Sequence, residues 1–353
     1  MTTYVNARFL SQRLTGVQRY ARELSVRLKQ LLPGVRFVCP GNVLQQSLAD
    51  KLEAVAFGSR AGHFWEQVSL PLWLSRQGGG LLVNLANTAP VFYRPKIVTI
   101  HDVAFVVAPQ WYSRRFARFY NLIIPRMARR AEHIVTVSEF SKEEIAKYLG
   151  IRDNLSVIGN AVASGFGRVS TEGATEHGTY ILTLAAGSER KNFAGAVEAF
   201  RKVKNSEVRL VAVGDVNPDV CDPKLVETLR TDPRVTLLNS VSDDELRRLY
   251  AGARLFFFPS LYEGFGIPPL EAMACGCPCL VSNTTALPEV CGEAAWYCDP
   301  RSASEMAAKI DTLLSDENAR QELVGRGYER VKRFDWDRSA GQLAELISRC
   351  AGD

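Results

Sequence analysis

Apolar segments of strand length alternate with amphipathic segments of helix length along this 353-residue chain. Such an order is typical of parallel sheets that are covered by helices. The predicted strands of the first half are Tyr4–Val5, Val35–Val38, Leu81–Val83, Lys96–Ile100, His133–Val137 and Leu155–Ile158, and those of the second half are Tyr180–Ala185, Val208–Val213, Val235–Leu238, Leu255–Phe258 and Cys279–Ser282. The chain is therefore predicted to be an α/β protein.

A small, polar and Gly-rich segment, 164–178, interrupts this alternation near the middle of the chain. Such a composition without periodicity is typical of a linker. We therefore predict a Rossmann-like domain over 1–163 and a second over 179–336. A terminal helix in 337–353 follows them and could pack against either domain.

The composition indicates a soluble globular protein, since 46% of residues are hydrophobic and 23% are charged. No apolar run is long enough to span a bilayer, and the N-terminus lacks the basic and apolar regions of a signal peptide. The eight cysteines, without a secretion signal, favour reduced thiols over disulfides. These features predict a cytoplasmic location.

Positive charge is concentrated in the first half of the chain. Residues 1–170 contain 22 Lys and Arg and 10 Asp and Glu, whereas the rest contains 21 and 28. The excess suggests an anionic partner for the first half, although uneven surface charge without function is equally consistent with it.

Segment 112–131 carries six arginines and no acidic residue, interleaved with aromatic and aliphatic side chains. It could place the protein peripherally on an anionic membrane, or its arginine stems could cover apolar surface. Pro125 is predicted to kink or split the helix. Nucleic acid is not expected as a partner, because the motifs and aromatic platforms for it are missing.

Ligands of parallel sheets bind where strands end and helices begin. Gly16 opens the first long helix, where a glycine lets backbone amides approach a phosphate, although a lone glycine is usually only a turn. His101 and Asp102 follow a strand and are candidates to face a ligand. The alternative is that His101 bonds to the backbone and Asp102 caps the next turn.

Two further strand ends carry charged residues. Arg190 and Lys191 stand at a helix N-terminus, where cations oppose the helix dipole unless an anion such as a diphosphate binds them; a solvated pair is the alternative. The strand that ends at Pro259 leads into a Gly-rich loop and a helix with early prolines, an anion site that has Glu263 and Glu271 beside it. A ligand with both phosphates and hydroxyls, such as a nucleotide sugar, suits this combination.

The spacing Glu263-x7-Glu271, within EGFGIPPLEAMACGCP, resembles the retaining glycosyltransferases of family 4, which have the GT-B fold. The resemblance covers nearly the whole chain, in the segments TGVQRY, TIHD, VTVSEFSKEEI, VIGNAV, GSERKNFAGAVEAF and VSDDELRRLYAGARLFFFPSLYEGFG. It is greatest to mannosyltransferases and rhamnosyltransferases of polysaccharide and O-antigen synthesis. The resemblance implies two Rossmann-like domains with an active site in the cleft between them.

The resemblance also implies roles for particular residues. Gly16, Lys191 and the amides of Gly264, Phe265, Gly266 and Ile267 would contact the donor diphosphate. Glu263 would face the transferred sugar, Glu271 the ribose, and His101 the region of the anomeric centre. Ser240 and Val241 would border the base.

The chain departs from the family at three positions. The arginine that many relatives have six residues before the lysine is Ala185 here, and Arg190 is the candidate to replace it. The segment VIGNAV lacks the usual proline before Asn160 and has Ala161 where glycine is common. Neither change within VIGNAV removes a catalytic group.

The implied reaction transfers a hexose or deoxyhexose from a nucleotide sugar, with GDP-mannose or GDP-rhamnose expected, to a growing polysaccharide or lipid-linked glycan. The anomeric configuration is expected to be retained. Lys191 and helix dipoles would stabilise the leaving group in place of a metal ion, so no cofactor is expected. A sugar-nucleotide epimerase, a phosphorylase or a non-catalytic two-lobed binding protein remains the alternative.

Two other patterns are better explained by structure than by chemistry. Cys275, Cys277 and Cys279 lack the pairing typical of zinc sites and are predicted to be small core residues. The Asp335-Trp336-Asp337 segment resembles a metal-binding motif, but its place before the last helix favours capping.

Overall fold

The computed structural model describes residues 1–168, 177–184, 189–214, 225, 227, 229, 231–239 and 241–352. The chain forms two compact units, one of Met1–Asn160 with Asp335–Asp353 and one of Ala161–Phe334. Most of the predicted linker lies outside the described residues.

The first unit is built on a sheet of seven parallel strands in the order β3-β2-β1-β4-β5-β6-β7. Their bounds are β1 Thr3–Asn6, β2 Arg36–Pro40, β3 Val55–Phe57, β4 Leu81–Asn84, β5 Lys96–Thr99, β6 His133–Thr136 and β7 Leu155–Val157. All six predicted strands are present. The edge strand β3 was not predicted, because three residues that are exposed or only half-buried carry little hydrophobic signal.

Helices cover this sheet, and most follow the predicted amphipathic segments. They are α1 Gly16–Leu31, α2 Gln46–Leu52, α3 with the consecutive segments Gly62–Phe64, Trp65–Ser69 and Leu70–Arg76, α4 Ala104–Val107, α5 Arg114–Ala128 and α6 Glu139–Leu149. The middle segment of α3 is π-helical. Of the kink or split predicted at Pro125, the split was wrong, because α5 continues through the proline.

The second unit has six parallel strands in the order β10-β9-β8-β11-β12-β13. They are β8 Tyr180–Leu184, β9 Arg209–Val213, β10 Val235–Leu238, β11 Leu255–Phe258, β12 Cys279–Ser282 and β13 Ala295–Cys298. The described helices that accompany them are α7 Phe193–Arg201, α8 Asp243–Gly252, α9 Ile267–Ala274, α10 Leu287–Cys291, α11 Ala303–Ser315 and α12 Glu317–Val331. Strand β13 and helices α10 to α12 were not predicted.

The terminal helix α13, Trp336–Ala351, belongs to the first unit. Its first residue, Trp336, lies edge-on to Tyr20 of α1 with ring centroids 5.9 Å apart. Asp335 caps the helix by accepting a hydrogen bond from the Arg338 amide at 2.7 Å. The predicted capping role of this acidic segment is thus confirmed.

In both sheets the order of strands reverses beside the first strand of the unit. Strand β1 lies between β2 and β4, and β8 lies between β9 and β11. Helices leave such a point in opposite directions and open a crevice at the carboxyl ends of the strands, which is where α/β sheets bind ligands. The structure therefore marks one candidate binding edge in each unit.

The cysteines near α9 lie in the core of the second unit. Cys275, Cys277 and Cys279 are buried and carry thiols rather than disulfides, as predicted. Burial raises the pKa of the Cys275 thiol to about 11, so it stays neutral. Among the described residues no His, Cys, Asp and Glu side chains group to hold a metal ion.

Helices long and apolar enough to cross a membrane are absent from the described residues.

Candidate active site

The turn after β8 is tied to the ends of two other strands. Glu189–Lys191 form a single 3-10 turn, and Asn192 follows in the left-handed region with φ 55°. Asparagine tolerates this conformation better than most residues. Its side-chain amide donates to the carbonyls of Pro259, at 3.0 Å, and Pro300, at 2.7 Å. The turn is thereby fixed at the point where the strand order reverses.

Arg190 and Lys191 both bind the carboxylate of Glu263, which follows β11. The Lys191 ammonium lies 2.6 Å from Oε1, and a guanidinium nitrogen of Arg190 lies 3.2 Å from Oε2. The ammonium also lies 4.6 Å from the centre of the Phe258 ring. Two cationic side chains therefore converge at this strand end, and such a pair suits an anionic ligand.

The charges of this cluster support one another. Burial of Glu263 opposes its ionisation, but Lys191 and then Arg190 outweigh burial and hold the pKa of the carboxyl below its usual value. Glu263 is 6% exposed, so its charge is stabilised by these partners rather than by water. The carboxylate is therefore available as a fixed hydrogen-bond acceptor near neutral pH.

Two residues that the sequence analysis missed hold Glu263 in place. The Ser260 hydroxyl bonds to Oε1 of Glu263 at 2.8 Å, and the Glu263 amide donates to the Thr285 hydroxyl at 3.1 Å. Thr285 has φ 61°, a strained conformation for a β-branched residue. The serine next to the strand end was a signal for this role, whereas Thr285 is 22 positions away and gave none.

The loop from Gly264 to Gly266 turns the chain into α9. Gly266 caps the helix with φ 105°, and a Cβ there would lie 2.5 Å from Cδ2 of Leu287. Only glycine fits this position without displacement of Leu287. Pro268 and Pro269 lie in the first turn, as predicted. The backbone amides of the loop end at Ile267, since prolines donate none.

The remaining donor-side candidates, Glu271, Ser240 and Val241, differ in how much can be described. Glu271 lies on α9 and is 5% exposed. The pKa of the Tyr250 phenol is raised mainly by the burial of Tyr250, and next by the charge of Glu271. Val241 is half-buried before the N-cap Ser242 of α8, where a capping box with Glu245 begins the helix. Ser240 and Ala185 lie outside the described residues.

Gly16 and His101 belong to the first unit. Gly16 lies on the same helix as Tyr20, and the Tyr20 ring contacts His101. Gly16 is the first residue of α1, which is the predicted helix start, and Tyr20 lies one turn later. The Tyr20 ring is edge-on to the His101 imidazole, with centroids 4.9 Å apart. Both candidates thus lie near the carboxyl edge of the first sheet.

His101 is fully enclosed by hydrogen bonds and packing. Its Nε2 lies 3.0 Å from the Leu85 carbonyl, and its backbone amide donates to Oδ1 of Asn87 at 2.8 Å. Burial lowers the pKa of the imidazole, against the opposing effects of the Leu85 carbonyl and Asp102. Because a carbonyl only accepts, Nε2 carries the hydrogen and neutral His101 has Nδ1 as its acceptor.

These contacts are consistent with both interpretations of the motif, namely that its side chains face a ligand and that they have a structural role. His101 does bond to the backbone, and Asp102 does cap the next turn by accepting from the Ala104 amide at 3.0 Å. The hydroxyl of Ser141 on α6 donates to the His101 carbonyl at 3.0 Å. The role of His101 in the reaction therefore remains a prediction.

Helix α5 presents its basic residues to solvent. All six arginines of the predicted basic segment are exposed, namely Arg114, Arg115, Arg118, Arg126, Arg129 and Arg130. Within the described part of the chain none of them forms a salt bridge with a carboxylate. Exposed hydrophobic residues accompany them, with Leu122 52% and Phe92 83% exposed.

Comparison with known proteins agrees with this geometry. The family model described as Glycosyl transferases group 1 matches residues 170–330, and the model described as Glycosyltransferase Family 4 matches residues 14–164. The O-antigen chain mannosyltransferase B of Escherichia coli is 31% identical, over 93% of this chain and 94% of its own length. The chain belongs to the group 1 glycosyltransferases. The family predicted from the motifs is confirmed.

Other relatives of this glycosyltransferase include further mannosyltransferases. The O-antigen chain mannosyltransferase RfbU of Salmonella typhimurium is 28% identical over 73% of this chain and 70% of that protein. The MMP alpha-(1->4)-mannosyltransferase of Mycolicibacterium hassiacum is 29% identical over 72% of this chain and 65% of that protein.

Solved structures support the fold of the glycosyltransferase. HepE of Anabaena, in complex with UDP and glucose, superposes with a TM-score of 0.79 over 99% of this chain and 100% of that chain, at 17% identity. WaaG, a glycosyltransferase involved in lipopolysaccharide biosynthesis, has a TM-score of 0.75 over 99% and 100%, at 14% identity. The predicted GT-B class, with two Rossmann-like domains, is confirmed.

Proposed function

We propose that this glycosyltransferase transfers mannose, or a closely related hexose or deoxyhexose, from a nucleotide sugar to a growing polysaccharide or lipid-linked glycan. The near full-length similarity to O-antigen chain mannosyltransferase B carries the proposal. The sugar–diphosphate bond would break and the acceptor oxygen would form the new bond, with release of its proton. The anomeric configuration would be retained, as in the family that the motifs resemble.

The ion cluster of the second unit supports a diphosphate donor. Its two cationic side chains, at the carboxyl ends of β8 and β11, suit an anionic leaving group, and the buried Glu263 suits sugar hydroxyls. Lys191 would stabilise the departing diphosphate, with Arg190 beside it, and the amides of Gly264 to Ile267 would contribute further. Gly16 and His101 would act from the first unit, and Glu271 and Val241 on the nucleoside.

A donor with a GDP moiety is our preferred candidate, and no metal ion would be needed. The HepE structure contains UDP and glucose, so a fold of this type accommodates a nucleoside diphosphate. The cations of the cluster would take the place of a metal ion at the leaving group.

The exposed arginines of α5 support a peripheral position on an anionic membrane. They lie on a helix that also exposes Leu122 and packs its buried face against the sheet. Each basic residue near an anionic surface contributes about 1 kcal/mol of binding free energy. A lipid-linked acceptor would be reached from such a surface.

A donor panel tests the proposal. The purified protein is incubated with GDP-, UDP- and dTDP-sugars, with and without octyl α-mannoside and EDTA, and nucleotide and glycoside products are quantified. We expect nucleotide release and a larger glycoside with GDP-mannose, unaffected by EDTA. Isomerisation of the donor without release would indicate an epimerase, phosphate-dependent release a phosphorylase, and binding without turnover a binding protein.

A further inference from the structure

The first unit contains a buried polar network at the carboxyl ends of β1 and β4. Oε1 of Glu66, on α3, accepts from Nδ2 of Asn6 and from Nε of Arg8, each at 3.0 Å. The hydroxyl of Thr88 donates to Oε2 at 2.7 Å and accepts from Arg8 at 2.9 Å. Glu66 is 1% exposed and Arg8 6% exposed, so the pair is neutral as a whole and shielded from water.

His63 extends this network to the surface. Its Nδ1 lies 3.4 Å from Oε2 of Glu66, and its side chain is 34% exposed. Burial raises the pKa of Glu66, but Arg8 first, and then His63 and Thr88, outweigh it and hold the pKa below its usual value. Because the ionised carboxylate only accepts, Nδ1 of His63 donates to it. The tautomer with its hydrogen on Nδ1 has Nε2 as a hydrogen-bond acceptor.

Nε2 of His63 has no hydrogen-bonding partner among the residues that the structure describes. Two aromatic rings of α5 border the imidazole. The centre of the Phe119 ring lies 4.6 Å from that of His63, and the centre of the Tyr120 ring lies 6.0 Å away. Both aromatic side chains are half-buried. A polar acceptor atom beside apolar ring surface is the composition of a site for a neutral polar molecule.

One loop connects this site to His101. Thr88, which binds Glu66, is the neighbour in sequence of Asn87, whose side chain binds the His101 amide. Burial is the main cause that raises the pKa of the Tyr120 phenol. The charge of Arg8 lowers this pKa, and the charges of Glu66 and Asp102 raise it. His63 and His101 therefore belong to one edge of the sheet, where its strand order reverses.

From this geometry we propose that His63, oriented by Glu66, binds a hydroxyl group of the acceptor saccharide, with Phe119 packing against the sugar ring. A lone pair on Nε2 selects a hydroxyl group over an ionised phosphate oxygen, which has no hydrogen to donate. The inference rests on the proposed function, since it takes the acceptor to be a glycan.

The test compares acceptor and donor kinetics in His63→Gln. Octyl α-mannoside is the acceptor, and the donor is the nucleotide sugar that the panel identifies. We expect the acceptor KM to rise about tenfold or more, as for a lost hydrogen bond and ring contact. Donor hydrolysis without acceptor should stay at the wild-type rate, because His63 does not contact the donor.

Two further variants complete the test. Phe119→Leu should raise the acceptor KM in the same direction, whereas the half-buried His177 of the other unit provides the matched control His177→Gln, with no change. A wild-type acceptor KM in His63→Gln, or a parallel loss of donor hydrolysis, would overturn the inference alone. Wild-type protein that transfers no sugar from any donor would instead overturn the proposed function.

Discussion

Lys191 and Glu263 lie 72 positions apart in sequence, and their ammonium nitrogen and Oε1 are 2.6 Å apart in the fold. The lysine follows β8 and the glutamate follows β11, and these two strands are neighbours in the second sheet. The contact joins the two motifs that the sequence analysis assigned separately to the diphosphate and to the sugar.

Replacement of Lys191 tests the proposed stabilisation of the leaving group. Lys191→Ala should lower the rate by about 10²–10³, as for loss of one preorganised electrostatic contact. The fold should survive, because Arg190 still pairs with Glu263. Single-turnover rates at saturating donor measure the effect. The control is Lys202→Ala, which removes an exposed lysine at the end of α7 in the same unit. Near-normal turnover would contradict the assignment.

The two carboxylates should have separable roles. Glu263→Gln should reduce transfer by about tenfold or more while nucleoside diphosphate alone still binds, because Glu263 is proposed to contact the sugar. Glu271→Gln should instead weaken nucleotide binding. Calorimetric titration with the nucleotide and steady-state kinetics distinguish the two variants. Wild-type nucleotide affinity in both would refute this division of roles.

Acidification should remove the stabilising contribution of Glu263. Its pKa is lower in the folded protein, so the unfolded chain binds the proton more strongly and stability falls as the pH drops below the usual value of 4.5. The difference in unfolding free energy between wild type and Glu263→Gln should therefore be largest near neutral pH and decrease in acid. Urea unfolding at several pH values measures it, with Glu198→Gln, from a surface ion pair, as the control. A difference that is independent of pH would contradict the expectation.

The basic helix should be needed for membrane binding. Changing Arg114, Arg115 and Arg118 together to Gln should weaken binding to anionic vesicles by about a hundredfold, from about 1 kcal/mol for each arginine. Co-sedimentation at two salt concentrations measures binding. A control variant removes the same charge at the exposed Arg152, Arg201 and Arg209. If wild-type protein does not bind anionic vesicles at low salt, α5 is a solvated surface.

Gly266 should tolerate no side chain. Gly266→Ala places a Cβ 2.5 Å from Cδ2 of Leu287 at a backbone φ of 105°, which should cost about 1–3 kcal/mol of unfolding free energy. Gly325→Ala is the matched control, since nothing lies within 4 Å and the residue is inside α12. That substitution should add about 0.5–1 kcal/mol. Equal thermal midpoints of the two variants would rule out strain at Gly266.

Sequence periodicity was sufficient to predict the fold class and eleven strands, because buried parallel strands are continuous apolar segments. It missed β3 and β13, whose residues are partly exposed and give a weaker signal. The split expected at Pro125 failed because helix α5 continues through the proline. Local sequence does not show whether a helix ends at a proline or continues through it.

The residue types at each strand end were also determined by the sequence alone. His101, Lys191 and Glu263 could be chosen as candidates because charged and polar residues directly after buried strands are exposed to a ligand edge. Which of them meet was decided only by the tertiary structure, because strand order, not sequence distance, sets their separation. The pairing of Lys191 with Glu263 and the hydrogen bond from Arg8 to Thr88 both depend on strands that are neighbours in the sheet but not consecutive in sequence.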